Sequence, residues 1–159
     1  PEIEKISIKK NFPNGISLEV VEKKPFALWD YNNERFLVDK NGSFIRYEQE
    51  DEDISNLIQI KQEEESIDLD KKEIINNIII ISEGLSKEEI NISSYVIFDD
   101  KLKVNTPNFF ILFDLRQDIS WQVEKLKAVL ENDDQVREGI NVKYIDLRFD
   151  NQAIIQKKE

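Results

Sequence analysis

The sequence contains no cysteine and no histidine. Disulfides, thiolate nucleophiles, soft-metal sites and imidazole acid–base catalysis are therefore excluded together. Glycine is scarce, and each of the four is expected to serve a local purpose, Gly15 and Gly42 in turns, Gly84 as a helix stop and Gly139 in the loop before the last strands. None remains to build the clustered phosphate-cradling loop of a nucleotide enzyme. Positive charge is in deficit: the net charge of -11 and pI near 4.6 oppose a nucleic-acid backbone or an anionic membrane surface, which would repel the chain. Apolar runs such as Ile78–Ile81 fall far short of the ~20 residues that span a bilayer. The sequence starts at Pro1 with neither a methionine nor a signal-like segment, and it is expected to be part of a longer chain.

What is present is enough for one folded unit, since 159 residues can bury a real core without staples. Residues 3–9 (IEKISIK) and 16–21 (ISLEVV) alternate around the turn chemistry of NFPNG and predict a hairpin. Pro25 ends the second strand, because it cannot donate to a ladder, and a module boundary is expected there. FALWDY, ERFLVD and SFIRYE predict three short strands, the last two joined by a hairpin around Asn41-Gly42. EQEDEDIS is a charge run.

Asp70 with Glu73 forms an N-cap pattern for a buried helix over roughly 71–83, and Ser86 with Glu89 repeats the pattern for a short second one. SSYVIFD, KLKVN and NFFILFDL predict strands. Asp118 caps a helix in which Ile119, Val123, Leu126 and Leu130 make an apolar stripe, leaving Glu124, Lys125, Lys127 and Glu131 outward. VKYIDLRF and QAIIQ close the chain as extended segments joined by a bend at Asp150-Asn151. The fold class predicted is α+β, a mostly antiparallel sheet with two main helices.

Carboxylates are abundant, and two at the right separation could act as acid and base in a hydrolase. The densest clusters, however, lie in the runs 48–53 and 63–65, where a solvated loop is expected, and EQEDED lacks the spaced ligands and glycine of a calcium loop. Trp29 and Trp121 are expected in the core, beside apolar periodic segments. In YIDLRF, Tyr144, Asp146 and Arg148 share one strand face, and Ile145, Leu147 and Phe149 share the other, which is expected to be buried. Asp146 and Arg148 can form a local ion pair there. A final strand of an antiparallel sheet also often lies at an edge, where its backbone can accept a partner's strand.

Several stretches together resemble the FtsQ/DivIB cell-division family. NFPNGISLEVVEKKPFALW resembles the junction where these proteins leave their POTRA module, and FLVDKNGSFI is similar to the hairpin opening their β domain. YIDLRFDNQAIIQ resembles the Tyr-x-Asp-Leu-Arg-aromatic-Asp segment near that domain's end, and the helix carrying DISWQVEKLKAVL precedes it as in the family. The resemblance implies residues 1–25 as the C-terminal part of a POTRA module, 26–156 as the β domain and 157–159 as a tail. It further implies a non-enzymatic division scaffold without cofactor or metal, anchored in the bacterial inner membrane by one upstream helix, with this segment extracytoplasmic. Its partners would be FtsB and FtsL, taken up by β-augmentation at the last strand. Carried over by position, the partner-binding residues are Arg148, Phe149, Asn151, Gln152, Ala153, Ile154 and Ile155; Phe149 stands where many members have Tyr. Two alternatives stay open: a carboxylate-dependent hydrolase, and a generic extracytoplasmic adaptor, which a terminal strand covered on both sides would favour.

Overall fold

A computed structural model describes residues 2–63 and 70–158, so that residues 64 and 65 of the second acidic run lie outside the described residues. Two strands, β1 (Ile3–Asn11) and β2 (Gly15–Glu22), pair with each other alone. Nine others form one sheet. In chain order they are β3 (Ala27–Tyr31), β4 (Glu34–Val38), β5 (Phe44–Tyr47), β6 (Ile58–Gln62), β7 (Ser94–Phe98), β8 (Lys101–Asn105), β9 (Phe110–Asp114), β10 (Val142–Phe149) and β11 (Gln152–Lys157). Across the sheet the order is β11-β10-β9-β8-β7-β6-β3-β4-β5. Most neighbours are antiparallel, and three pairs are parallel: β3 with β6, β6 with β7, β9 with β10.

The parallel pairs explain the helices. Parallel neighbours need a long crossover rather than a tight turn. Helix α1 (Lys71–Lys87) lies in the connection from β6 to β7, and α2 (Ile119–Asn132) with the single turn α3 (Asp134–Arg137) in that from β9 to β10. Ile74, Ile75, Ile78, Ile81 and Leu85 of α1 and the predicted stripe Ile119, Val123, Leu126 and Leu130 of α2 share one core. Alternate strand residues supply the rest, among them Trp29, Ile97, Val104, Phe113, Ile145 and Leu147. A smaller cluster of Leu28, Leu37 and Ile45 is closed by Ile54 and Leu57. Among the described residues no helix is long and apolar enough to cross a membrane.

Both long helices start as predicted. The Asp70 carboxylate accepts from the Lys72 backbone N–H, and Asp118 accepts from those of Ser120 and Trp121. The end of α1 differs from expectation. Gly84 is not a stop but a buried interior residue, and a Cβ there would meet Cγ1 of Val123 at 2.5 Å. The missing side chain serves helix packing, and the left-handed position after the helix is taken by Glu89 at φ 59°. Ser86 therefore lies inside α1, and the short second helix does not form.

Strand β6 is a further difference. IQIKQ sits between two acidic runs that obscure its alternation, yet it pairs on both sides, and the Trp29 indole N–H donates to Gln62 Oε1 at 2.9 Å. The acidic run before it is anchored rather than merely solvated: Glu52 receives both guanidinium ends of Arg46, at 2.9 and 2.6 Å. At the β4–β5 turn, Asp39 Oδ1 accepts from the N–H groups of Asn41 and Ser43. Gly42 adopts φ +70° there, and any Cβ would lie 2.7 Å from the Lys71 backbone.

Candidate functional site

Strand β11 is an edge of the nine-stranded sheet, with β10 its neighbour on one side. Its register runs Tyr144↔Gln156, Ile145↔Ile155, Asp146↔Ile154 and Phe149↔Gln152. Both register shifts place the extra residue on β10, so β11 itself alternates without interruption. The N–H of Lys158 donates to Asn141 O at 2.7 Å. By alternation the N–H groups of Gln156, Ile154 and Gln152 point toward β10, and those of Ile155 and Ala153 point outward. The Ala153 and Ile155 side chains pack on the main core, while Gln152 and Ile154 are exposed.

Beside this edge Asp146 and Arg148 pair as their spacing suggested. Arg148 Nε donates to Asp146 Oδ1 at 2.8 Å, Nη2 to Oδ2 at 2.6 Å, and the Arg148 backbone N–H to Oδ1 at 3.2 Å. The pair is not a plain surface one, because Asp146 is buried and Arg148 half-buried. Burial opposes ionisation of Asp146. The hydrogen bonds from Arg148 and the charges of Arg148 and Lys125 outweigh it and hold the carboxyl below the usual carboxylate range. Glu52 is likewise held low, first by the hydrogen bond from Arg46. These are the opposite of the raised pKa a general acid needs at neutral pH, so neither suits that role in the hydrolase alternative. No group of three or more metal-ligating side chains occurs among the described residues.

Two aromatic expectations are corrected. Phe149 is 46% exposed, whereas Ile145 and Leu147 are fully buried. The bulge between Asp146 and Phe149 breaks the strict alternation that would have put it in the core. Trp121 is 51% exposed, its indole N–H donating to Asp150 O at 2.9 Å; Trp29 alone of the two is buried. Lys125, expected outward, is buried at the β10 end, where its ammonium donates to Leu147 O at 2.6 Å and to Phe149 O. Burial lowers its pKa from the usual lysine value, opposed by Asp150 and Asp146. It shares a helix face with Gln122, whose amide exchanges two hydrogen bonds with the Asp114 backbone. The polar residues at 122 and 125 conceal how wide the buried face of α2 is, and that spacing of three was the only signal.

The predicted partner residues fall at one end of the sheet. Arg148 and Phe149 end β10, Asn151 lies in the turn, and Gln152, Ala153, Ile154 and Ile155 run along the edge. Tyr144 stacks on Phe110 at 5.2 Å, with the Lys103 ammonium 4.3 Å above the Phe110 ring.

The family described as "Cell division protein FtsQ/DivIB, C-terminal" matches residues 27–148, well over half of the sequence. The chain belongs to the FtsQ/DivIB family. The match begins at the first strand of the large sheet, leaving the β1–β2 hairpin outside it. Curated relatives include the cell division protein FtsQ of Rickettsia typhi, Rickettsia felis and Rickettsia conorii, each 35% identical over 40 residues. Those residues are 25% of this FtsQ/DivIB chain and 15% of each relative, so the similarity spans a small part of the relatives' length.

Proposed function

We propose that this cell-division protein acts as a non-enzymatic scaffold that recruits FtsB/FtsL-type partners by accepting a strand at β11. The observation that carries the reading is the edge itself. Ala153 and Ile155 turn backbone donors outward, and β11 has no second strand neighbour among the described residues. A strand added there gains affinity from main-chain hydrogen bonds and specificity from Phe149, Asn151, Gln152 and Ile154, which are exposed around it. Arg148, half-buried and neutralised by Asp146, contributes its carbon stem and its remaining donors. The uncovered side of the strand also argues against the generic adaptor.

The hairpin of residues 1–25 is, in this reading, the C-terminal part of a POTRA module, and residues 26–156 are the β domain. Its support is the separate two-stranded sheet and the family match that starts at residue 27. Family membership also supports a protein held in the inner membrane by an upstream helix, with this segment outside the cytoplasm.

The test is calorimetric titration of the folded chain with soluble FtsB/FtsL ectodomains. Binding should be lost on deleting residues 150–156. Wild-type affinity in that deletion would sink the augmentation reading. Arg148→Glu needs a melt alongside, because it sets two carboxylates against each other in a half-buried position.

A further inference from the structure

Toward its end β10 leaves the β9 ladder and slips in the β11 ladder, which resumes at Phe149↔Gln152. Pairing with β9 runs only from Tyr144 to Asp146, and pairing with β11 slips between Asp146 and Phe149. Carbonyls where a ladder slips or turns draw on donors outside it. Four consecutive ones obtain them from three side chains. Lys125 donates to Leu147 O and Phe149 O, Gln117 Nε2 to Arg148 O at 2.9 Å, and Trp121 Nε1 to Asp150 O at 2.9 Å.

The three donors are spaced by four. Trp121 and Lys125 follow one another on a single face of α2, and Gln117 immediately precedes the capping Asp118. Gln117 is itself fastened, its amide also donating to Asp114 Oδ2 at 2.9 Å. The donors therefore come from a rigid element whose apolar stripe is buried in the core. Using a lysine here is costly, since Lys125 is only 9% exposed and burying a charged side chain costs hydration. A methionine of similar length would fill the same space without that cost but could not grip the turn. What the lysine adds is placement of the backbone.

We propose that Gln117, Trp121 and Lys125 are positioning residues that clamp the β10–β11 turn to α2 and thereby set the trajectory of the edge strand presented to a partner. Its link to binding rests on the augmentation reading above; the clamp itself does not. None of the three need touch the partner. Their effect on affinity passes through β11, whose outward donors at Ala153 and Ile155 must lie in line for an incoming strand to meet both.

The experiment compares the 159-residue chain with Lys125→Met, Lys125→Arg and Trp121→Phe, following amide hydrogen exchange residue by residue and titrating each with the FtsB/FtsL ectodomains. Lys125→Met should speed exchange of the Gln152, Ile154 and Gln156 amides, which face β10, by about tenfold while β7 and β8 keep their rates, the size expected for hydrogen bonds lost locally. Partner affinity should weaken by a similar factor, and Lys125→Arg, which can still donate to both carbonyls, should restore both. Trp121→Phe keeps the ring, removes one donor and should give a smaller change of the same kind; it carries the test if Lys125→Met does not fold. Unchanged exchange at Gln152, Ile154 and Gln156, or acceleration spread evenly over the whole sheet, would overturn the clamp. Local acceleration with no binding by the wild-type chain would leave the clamp standing and defeat the partner reading instead.

Discussion

Two hairpins frame this chain, and in sequence they look alike. Residues 3–22 and 142–157 are both antiparallel pairs with alternating apolar side chains. In the second, Ile145 and Leu147 are fully buried beneath α2; in the first, Ile8 and Ile16 are 71% and 77% exposed. Ile6, Ile8, Ile16, Leu18 and Val20 line one face of that first hairpin, with nothing packed on it among the described residues. Alternation thus specifies a strand with one greasy side but not what meets it. That is decided by elements elsewhere in the chain, and a two-stranded ribbon alone is marginal in water. The hairpin's ties to the sheet are polar and peripheral: Lys23 to Asp39 at 3.0 Å and Glu2 to Arg46 at 3.5 Å.

The sharpest way to break this comparison is to truncate matching residues. Ile145→Ala should cost about 3 to 4 kcal/mol in urea denaturation, whereas Ile8→Ala should cost less than about 0.5 kcal/mol. Equal losses would mean the first hairpin is buried in solution. Amide exchange tests the same point: residues 16–21 should exchange well before 144–149.

Proline placement separates the two sides of the terminal hairpin. At Gln152 or Ile154 it removes a donor aimed at β10 and should lower the melting temperature; at Ala153, whose side chain is small, it removes an outward donor and should nearly spare the melt while abolishing partner binding, whereas at Ile155 it also removes a side chain packed on the core. The reverse pattern would show that the strand's outward side has been assigned to the wrong residues.

Asp146→Asn should cost about 2 kcal/mol at neutral pH, the scale of hydrogen bonds to a charged group. Because the folded-state pKa of Asp146 is depressed, its contribution is complete above the ordinary carboxylate pKa of about 4 and is lost as pH falls through the lower folded value. The variant should lack that part of the acid limb, and superimposable acid limbs would show that the pair contributes nothing. Within the terminal hairpin the smallest effect on stability belongs to Phe149→Ala. At 46% exposure it should change stability by less than about 1 kcal/mol while weakening partner binding, and a large loss in the melt would return the ring to the core.

Strands and helix starts were legible because period and capping are local. Asp70 and Asp118 cap as their positions indicated, and both hairpin turns form. Strand β6 was hidden by flanking charge, and the length of α1 by a glycine whose role is set by Val123 on another helix. At the site, the Asp146–Arg148 pair was visible in its spacing of two, but the burial of Lys125 and the exposure of Phe149 and Trp121 were not. Each of these depends on a bulge or a crossover that brings α2 over the end of β10, and no window along the chain contains both partners.

Gly84 carries a consequence for anyone mapping this protein by substitution. It works as a spacer gauge: with no Cβ, α1 lets α2 settle to within van der Waals reach of its backbone. An alanine there would favour the helix by roughly 1 kcal/mol in isolation, yet it would drive Val123, and α2 with it, outward. The same helix holds the turn before β11, so a change in the protein's interior would surface as a fault at its rim. A binding defect at residue 84 would then report misalignment rather than contact, and a footprint drawn from such data would be too large.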